Sequence, residues 1–165
     1  MTDWTIRPER AGDEAEIYEV VRSAFDGMPF SDGTEPDLVD RLRANGELLL
    51  SLVAEDDAII GHIGFNPITV GSKDCGWVQL SPVSVIPARQ RSGVGRSLIK
   101  AGIAEMRRQG FKGVGVEGDP NYYERFGFCR IEGLEPAGPH AQYFRALVLA
   151  GEAPQGEVRY APAFY

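Results

Sequence analysis

Hydrophobic positions recur along this chain with two periods, one near two residues and one near three and a half. Trp4-Thr5-Ile6-Arg7 alternates and predicts a short strand that Pro8 stops. After Asp13, read as a helix cap, Ile17, Val20, Val21, Ala24 and Phe25 fall on one helical face. A loop over 27–33, rich in Gly, Pro, Ser and Asp, precedes a second helix over 35–44, which Asn45-Gly46 ends. Strands over 48–54 and 59–70, divided by Glu55-Asp56-Asp57, predict a hairpin, and a third strand covers 77–86. A helix over 94–109 offers Val94, Leu98, Ala101, Ile103 and Met106 for burial before Gly110 stops it. Beyond it come a strand over 111–117, a short helix over 121–126 ended by Gly127, and strands over 128–131, 142–149 and 156–160. The order β-α-α-β-β-β-α-β-α-β-β predicts an α/β fold with a mixed sheet, because hairpins and βαβ crossovers both occur. No repeat or linker interrupts it, so 1–165 is expected to be one domain.

Composition narrows the classes. A formal charge of −7 argues against sequence-independent nucleic-acid binding, which relies on a basic surface, and is compatible with a cationic amine substrate. No apolar run approaches the ~20 residues of a membrane span, and Met1-Thr2-Asp3-Trp4 does not begin as a signal peptide does. Cys75 and Cys129 are isolated, which suits a reducing cytoplasm. His62 and His140 have no cysteines at ligand spacing, so no metal is expected. His62 lies within an alternating strand and reads as a hydrogen-bonded structural residue.

Against this acidic background one stretch is basic. Pro87-Ala88-Arg89-Gln90-Arg91-Ser92-Gly93-Val94-Gly95-Arg96-Ser97-Leu98 follows an apolar strand and opens a helix, with Lys100 close behind. Such a turn presents several backbone N–H groups to one anion, and the helix start adds about half a positive charge. Glycines let the ligand approach the main chain. A P-loop would need a lysine before Ser97, and a Rossmann turn would need a glycine where Leu98 stands. The spacing Gln90-Arg91-Ser92-Gly93-Val94-Gly95 instead resembles the Gln/Arg-x-x-Gly-x-Gly/Ala signature of the GNAT superfamily of N-acetyltransferases, with Val83-x-Val85-x-Pro87 before it. The resemblance implies a GNAT-like mixed, mostly antiparallel central sheet flanked by helices. It also implies that Gln90, Arg91, Ser92, Gly93, Val94, Gly95, Arg96 and Ser97 hold the pyrophosphate of acetyl-CoA. Val83, Ser84 and Val85 would then meet the pantetheine and the thioester carbonyl.

A second stretch, Gly118-Asp119-Pro120-Asn121-Tyr122-Tyr123-Glu124-Arg125-Phe126-Gly127-Phe128, resembles the family's Tyr-x-x-x-Gly-Phe signature. With Gly61-His62-Ile63 and the ending Tyr160-Ala161-Pro162-Ala163-Phe164, it is similar to one subgroup of predicted bacterial N-acetyltransferases. The resemblance assigns Tyr123 as the acid that protonates the departing thiolate, a task a phenol can perform when held close. Tyr122 reads as packing. Many relatives place a glutamate where Gln79 and Ser81 stand, and neither can act as a carboxylate. The base stays open: Glu117 and Asp119 could work through water, or another group could supply it. Asp26 and Asp32 in the first interhelical loop could bind a cationic acceptor. No cysteine has the neighbours of an activated nucleophile, so direct attack on acetyl-CoA by a small-molecule or peptide amine is expected. The alternative is a non-catalytic acyl-CoA-binding sensor or interaction module on the same fold. The resemblance also allows a homodimer.

Overall fold

A computed structural model of the chain describes residues 3–165; Met1 and Thr2, part of the Met1-Thr2-Asp3-Trp4 stretch read above, lie outside the described residues. Its elements are β1 (Thr5–Pro8), α1 (Glu14–Phe25), α2 (Glu35–Ala44), β2 (Leu50–Asp56), β3 (Ala58–Pro67), β4 (Thr69–Val70), β5 (Trp77–Val85), α3 (Val94–Arg108), β6 (Gly113–Glu117), α4 (Pro120–Glu124), β7 (Leu134–Pro136), β8 (Phe144–Val148) and β9 (Gly156–Arg159). Single 3₁₀ turns occupy Pro87–Arg89, Pro139–Tyr143 and Pro162–Phe164. Two compact units result, one from the chain up to Phe65 with Ser81–Gly102, the other from Asn66–Leu80 with Ile103–Tyr165. The architecture is the mixed α/β one that the hydrophobic pattern predicts, with mostly antiparallel pairs and helices beside the sheet.

In the first unit the strand order is β1-β2-β3 and then the second half of β5. The β2–β3 hairpin pairs through Asp56 and Ala58, so the turn is tighter than the acidic triplet suggested: Asp57 alone turns the chain, at φ 61°. Gly61 lies against the Ser84 carbonyl and Gly64 against that of Ser81, so β3 and β5 run in opposite directions. Ile17, Val20 and Val21 of α1 and Val39 of α2 bury against Val53 and Ile59. On α3, Val94 and Leu98 rest on Gly61, and Gly102 sits on Phe65.

Asp13 does not cap α1 through its side chain. It already has helical backbone angles, and its carboxylate turns to Arg7 (2.8 Å) and to the Arg10 N–H (2.7 Å). Arg7 in turn grips Glu55 at 3.0 Å, joining β1, α1 and β2. The two carboxylates hold the Arg7 proton more tightly than usual.

In the second unit the first half of β5 pairs parallel with β6, through Trp77–Gly113, Val78–Val114 and Gln79–Gly115, and β8 pairs antiparallel with β6. A smaller sheet, β4-β9-β7, closes a core of Ile68, Val70, Trp77, Leu134, Phe144, Ala146 and Val158. Two expectations are corrected here. Residues 128–131 form only an isolated bridge, Cys129 to Ala146, because Phe128 turns into the core straight after Gly127. The strand beside β9 is instead Leu134–Pro136, too short to show a period. Among the described residues no helix is long and apolar enough to cross a membrane, and no cluster of His, Cys, Asp and Glu could hold a metal ion.

A polar chain crosses the first unit's core. Arg43 donates to Glu9 at 2.9 Å, the Ser51 hydroxyl bonds Glu9 at 2.7 Å, and the same hydroxyl meets His62 Nε2 at 2.8 Å. His62 is fully buried, and burial lowers its pKa to about 4. The folded protein therefore holds a neutral imidazole that the unfolded chain protonates below its ordinary value, and stability falls as pH drops from 6.5 towards about 4. Urea titrations at neutral pH and near pH 4 are expected to show His62→Gln losing less stability on acidification than the parent, by on the order of 3 kcal/mol. Equal losses would mean that the imidazole is protonated within the fold.

Candidate active site

The basic stretch lies in the first unit. Pro87 ends β5, and the 3₁₀ turn hands the chain to Arg91 and Gly93, both at positive φ (62° and 98°). For Gly93 a left-handed conformation carries no Cβ penalty, which is why glycine suits that position. The first helical bond joins the Ser97 N–H to the Gly93 carbonyl at 3.0 Å. The N–H groups of Val94, Gly95 and Arg96 therefore have no intrahelical acceptor and face out of the helix start. No acidic side chain stands in the first turn of α3 to compete for them.

The side chains divide into holders and free cations. Gln90 donates to the Val85 carbonyl at 3.0 Å, tying the turn to its strand, and the Ser92 hydroxyl bonds the Arg89 carbonyl. Arg89 pairs with Asp56 at 2.8 Å and lies 6.0 Å from the centre of the Trp4 ring, so its charge is engaged within the protein. The same indole sits 3.7 Å from where a Cβ on Gly93 would stand. Arg91, Arg96 and Lys100 are exposed. Trp4 and Asp56 were not foreseen as parts of this turn, since both are remote from it in sequence.

Along β5, Val83 and Val85 are half-buried and Ser84 is buried, with a hydroxyl that has no partner. Within this unit the half-strand pairs with β3 on one edge. In the same unit Asp32 folds back on Thr34, accepting from its N–H at 3.0 Å, and the Thr34 hydroxyl holds the carboxyl below its usual pKa. Asp26 is the other acidic residue of that loop.

The second unit brings Glu117, Asp119 and Tyr123 together. Glu117 ends β6; Asp119 then caps α4, accepting from the Asn121 N–H at 3.0 Å. One turn on, Tyr123 is 9% exposed, its ring edge-on to Tyr122 (5.2 Å) and Phe128 (5.9 Å). Burial, with the charges of Tyr122 and Asp119, raises its pKa well above the ordinary phenol value, so the hydroxyl keeps its proton. No hydrogen bond to that hydroxyl occurs among the described residues, whereas a buried tyrosine tip usually finds a partner. Gly118 makes room for the ring, because a Cβ there would stand 2.8 Å from it. Gly127, at φ 96°, stops the helical segment, and Phe128 fills the core behind it. Gln79 is buried, its side-chain carbonyl without a partner. Tyr160, unassigned from sequence, donates to Glu117 at 2.6 Å.

Comparison with known proteins gives a consistent result. The model of the Acetyltransferase (GNAT) family matches residues 14–128. The Escherichia coli (strain K12) protein named uncharacterized N-acetyltransferase YhbS is 36% identical over 119 residues, spanning 66% of this chain and 71% of that protein. A GNAT family acetyltransferase from Brucella melitensis, solved in complex with acetyl-CoA, superposes with a TM-score of 0.89 at 43% identity, over 98% of both chains. The crystal structure of Escherichia coli YhbS in complex with CoA gives a TM-score of 0.89 at 31% identity, over 98% of this chain and 91% of that one. With a family match across well over half its length, on the turn and the tyrosine helix alike, this chain belongs to the GNAT family of acetyltransferases.

Proposed function

We propose that the protein moves the acetyl group of acetyl-CoA to a primary amine by direct attack within a ternary complex. The observation that carries this reading is the start of α3, where three N–H groups without helical acceptors lie in a stretch that carries three exposed cations in an otherwise acidic chain. A pyrophosphate complements that arrangement in charge and in hydrogen bonding. In this reading residues 90–97 take the pyrophosphate, and Val83, Ser84 and Val85 receive the pantetheine as an added strand. The likeness to a Brucella melitensis relative solved with acetyl-CoA supports the choice of cofactor.

Acetyl transfer then needs a neutral amine and a proton for the thiolate. Tyr123 supplies the proton: its burial keeps the hydroxyl protonated, and that hydroxyl has no internal acceptor to satisfy first. Glu117 and Asp119 are the carboxylates available to the amine, directly or through water. Asp119 caps α4 through one carboxylate oxygen, and Glu117 accepts from the Tyr160 hydroxyl through one of its own, which leaves its second oxygen for the amine. An acceptor screen that follows CoA release across amines of varied size and charge tests the whole reading. CoA binding without turnover on any amine would turn it towards an acyl-CoA sensor.

Replacing Gly93 and Gly95 together by valine is expected to weaken CoA binding by at least tenfold in calorimetry, since the main chain becomes inaccessible to the phosphate. Unchanged affinity in a folded variant would remove the turn from the cofactor site. Tyr123→Phe keeps the ring and its packing, so thermal stability should change little while kcat falls on the order of 10²–10⁴-fold. Acetyl-CoA KM should hold, and Tyr122→Phe should be far milder. Equal small effects at both positions would make Tyr123 a packing residue.

A further inference from the structure

The carboxyl-terminal segment brings a second tyrosine to Glu117. Tyr160 follows β9, its ring tilted against Phe164 at 5.6 Å and its N–H bonded to the Tyr165 hydroxyl at 3.1 Å. So anchored, its hydroxyl donates to Glu117 Oε2 at 2.6 Å. Burial, and then the bond to Glu117, raise the Tyr160 pKa well above the ordinary phenol value, so it donates and does not ionise. The other carboxylate oxygen, Oε1, faces His140 Nδ1 at 3.5 Å. His140 belongs to the 3₁₀ turn before β8, and its side chain is 72% exposed, against 27% for Glu117. Nearby charges are engaged elsewhere. Arg145, from β8, bonds Glu124 at 3.4 Å and two backbone carbonyls. Asp119 caps α4, and Arg159 lies over the Tyr165 ring at 4.7 Å. One carboxylate oxygen is thus pinned from the core side, and the other touches a solvent-facing imidazole.

We propose that Tyr160 is a positioning residue that holds Glu117 with Oε1 open to the proton of an ammonium acceptor, and that His140 passes this proton to solvent. The proposal rests on the transferase reading above and deepens it. The balance is simple. An ammonium acceptor gives one proton to Glu117, which becomes a carboxylic acid, and the neutral amine is left to attack. From Glu117 Oε1 the proton crosses the 3.5 Å contact to His140 Nδ1, and the exposed imidazole returns it to water. The C–N bond forms and the C–S bond breaks. Tyr123 protonates the thiolate, and the second nitrogen proton restores the Tyr123 hydroxyl. One proton per turnover therefore leaves the protein, and the Glu117–His140 contact is its exit.

The experiment compares an alkylamine acceptor with the acyl hydrazide of the same shape, which is neutral at assay pH and has no ammonium proton to shed. CoA release is followed in the parent, Tyr160→Phe and His140→Gln, and calorimetric CoA affinity in each shows that fold and cofactor binding are intact. Tyr160→Phe is expected to lose roughly tenfold in kcat/KM for the alkylamine. It should match the parent on the hydrazide, with acetyl-CoA KM unchanged. His140→Gln should lose severalfold in dilute buffer on the alkylamine and regain it with added imidazole, which leaves the parent unaffected. An equal loss on both acceptors would make Tyr160 merely structural and overturn the proposal. So would full activity of Tyr160→Phe on the alkylamine, or no response of His140→Gln to imidazole. A parent protein that releases no CoA with any amine overturns the transferase reading as well, which separates the two failures.

Discussion

Close contact between α3 and β3 is the constraint on which the first unit's chemistry rests. Gly61 lets Val94 and Leu98 approach to 3.0 Å of where its Cβ would be, and Gly102 admits Phe65 to 2.3 Å of where its own would be. These two contacts sit at the head of the helix and about two turns further on. A helix held at two points cannot slide or roll, and the direction of its leading N–H groups is thereby set. The Gln90–Val85 bond and the Arg89–Asp56 pair then fix the turn that feeds it. Main-chain N–H groups have no side-chain rotamers with which to adapt, so their direction has to come from packing below them.

The second unit uses the same device. Gly113 accepts the Trp77 ring 2.2 Å from where its Cβ would stand, and Gly118 accepts that of Tyr123. Each glycine creates room for an aromatic group whose position matters more than the lost side chain. The result is a tyrosine whose ring is held edge-on by Tyr122 and Phe128 while its hydroxyl is left unbonded. Asp119 serves the same end from the other side, since capping the first turn of α4 fixes where Tyr123 begins.

Local chemistry made much of this legible in the sequence. The starts of α3 and β5, and the weaker pattern of α2 with its Asn45-Gly46 stop, fall at the expected residues. Gly127 was readable because a left-handed helix stop needs it, whereas Gly93 was read only as letting a ligand approach and proves to hold a positive φ as well. What escaped was non-local. Asp13 looked like a cap because its type suits one, but the salt bridge to Arg7 depends on a strand brought alongside. The three-residue β7 has no period and exists only because β9 pairs with it. In the same way Arg89 read only as part of a basic stretch, and its pairing with Asp56 depends on the hairpin. Tyr160 looked like part of a tail until the second sheet placed it over Glu117.

The two tryptophans are distributed in a way that has optical value. Trp4 is half-exposed and touches the glycine turn in the first unit, whereas Trp77 is 2% exposed within the core of the second. A solvated indole emits further to the red than a buried one, so the two signals are separable in an emission spectrum without any label. Light excited at one wavelength thus reports on each half of the molecule by its own colour. The sequence carries a built-in pair of fluorophores, one at the glycine turn and one in the packed interior.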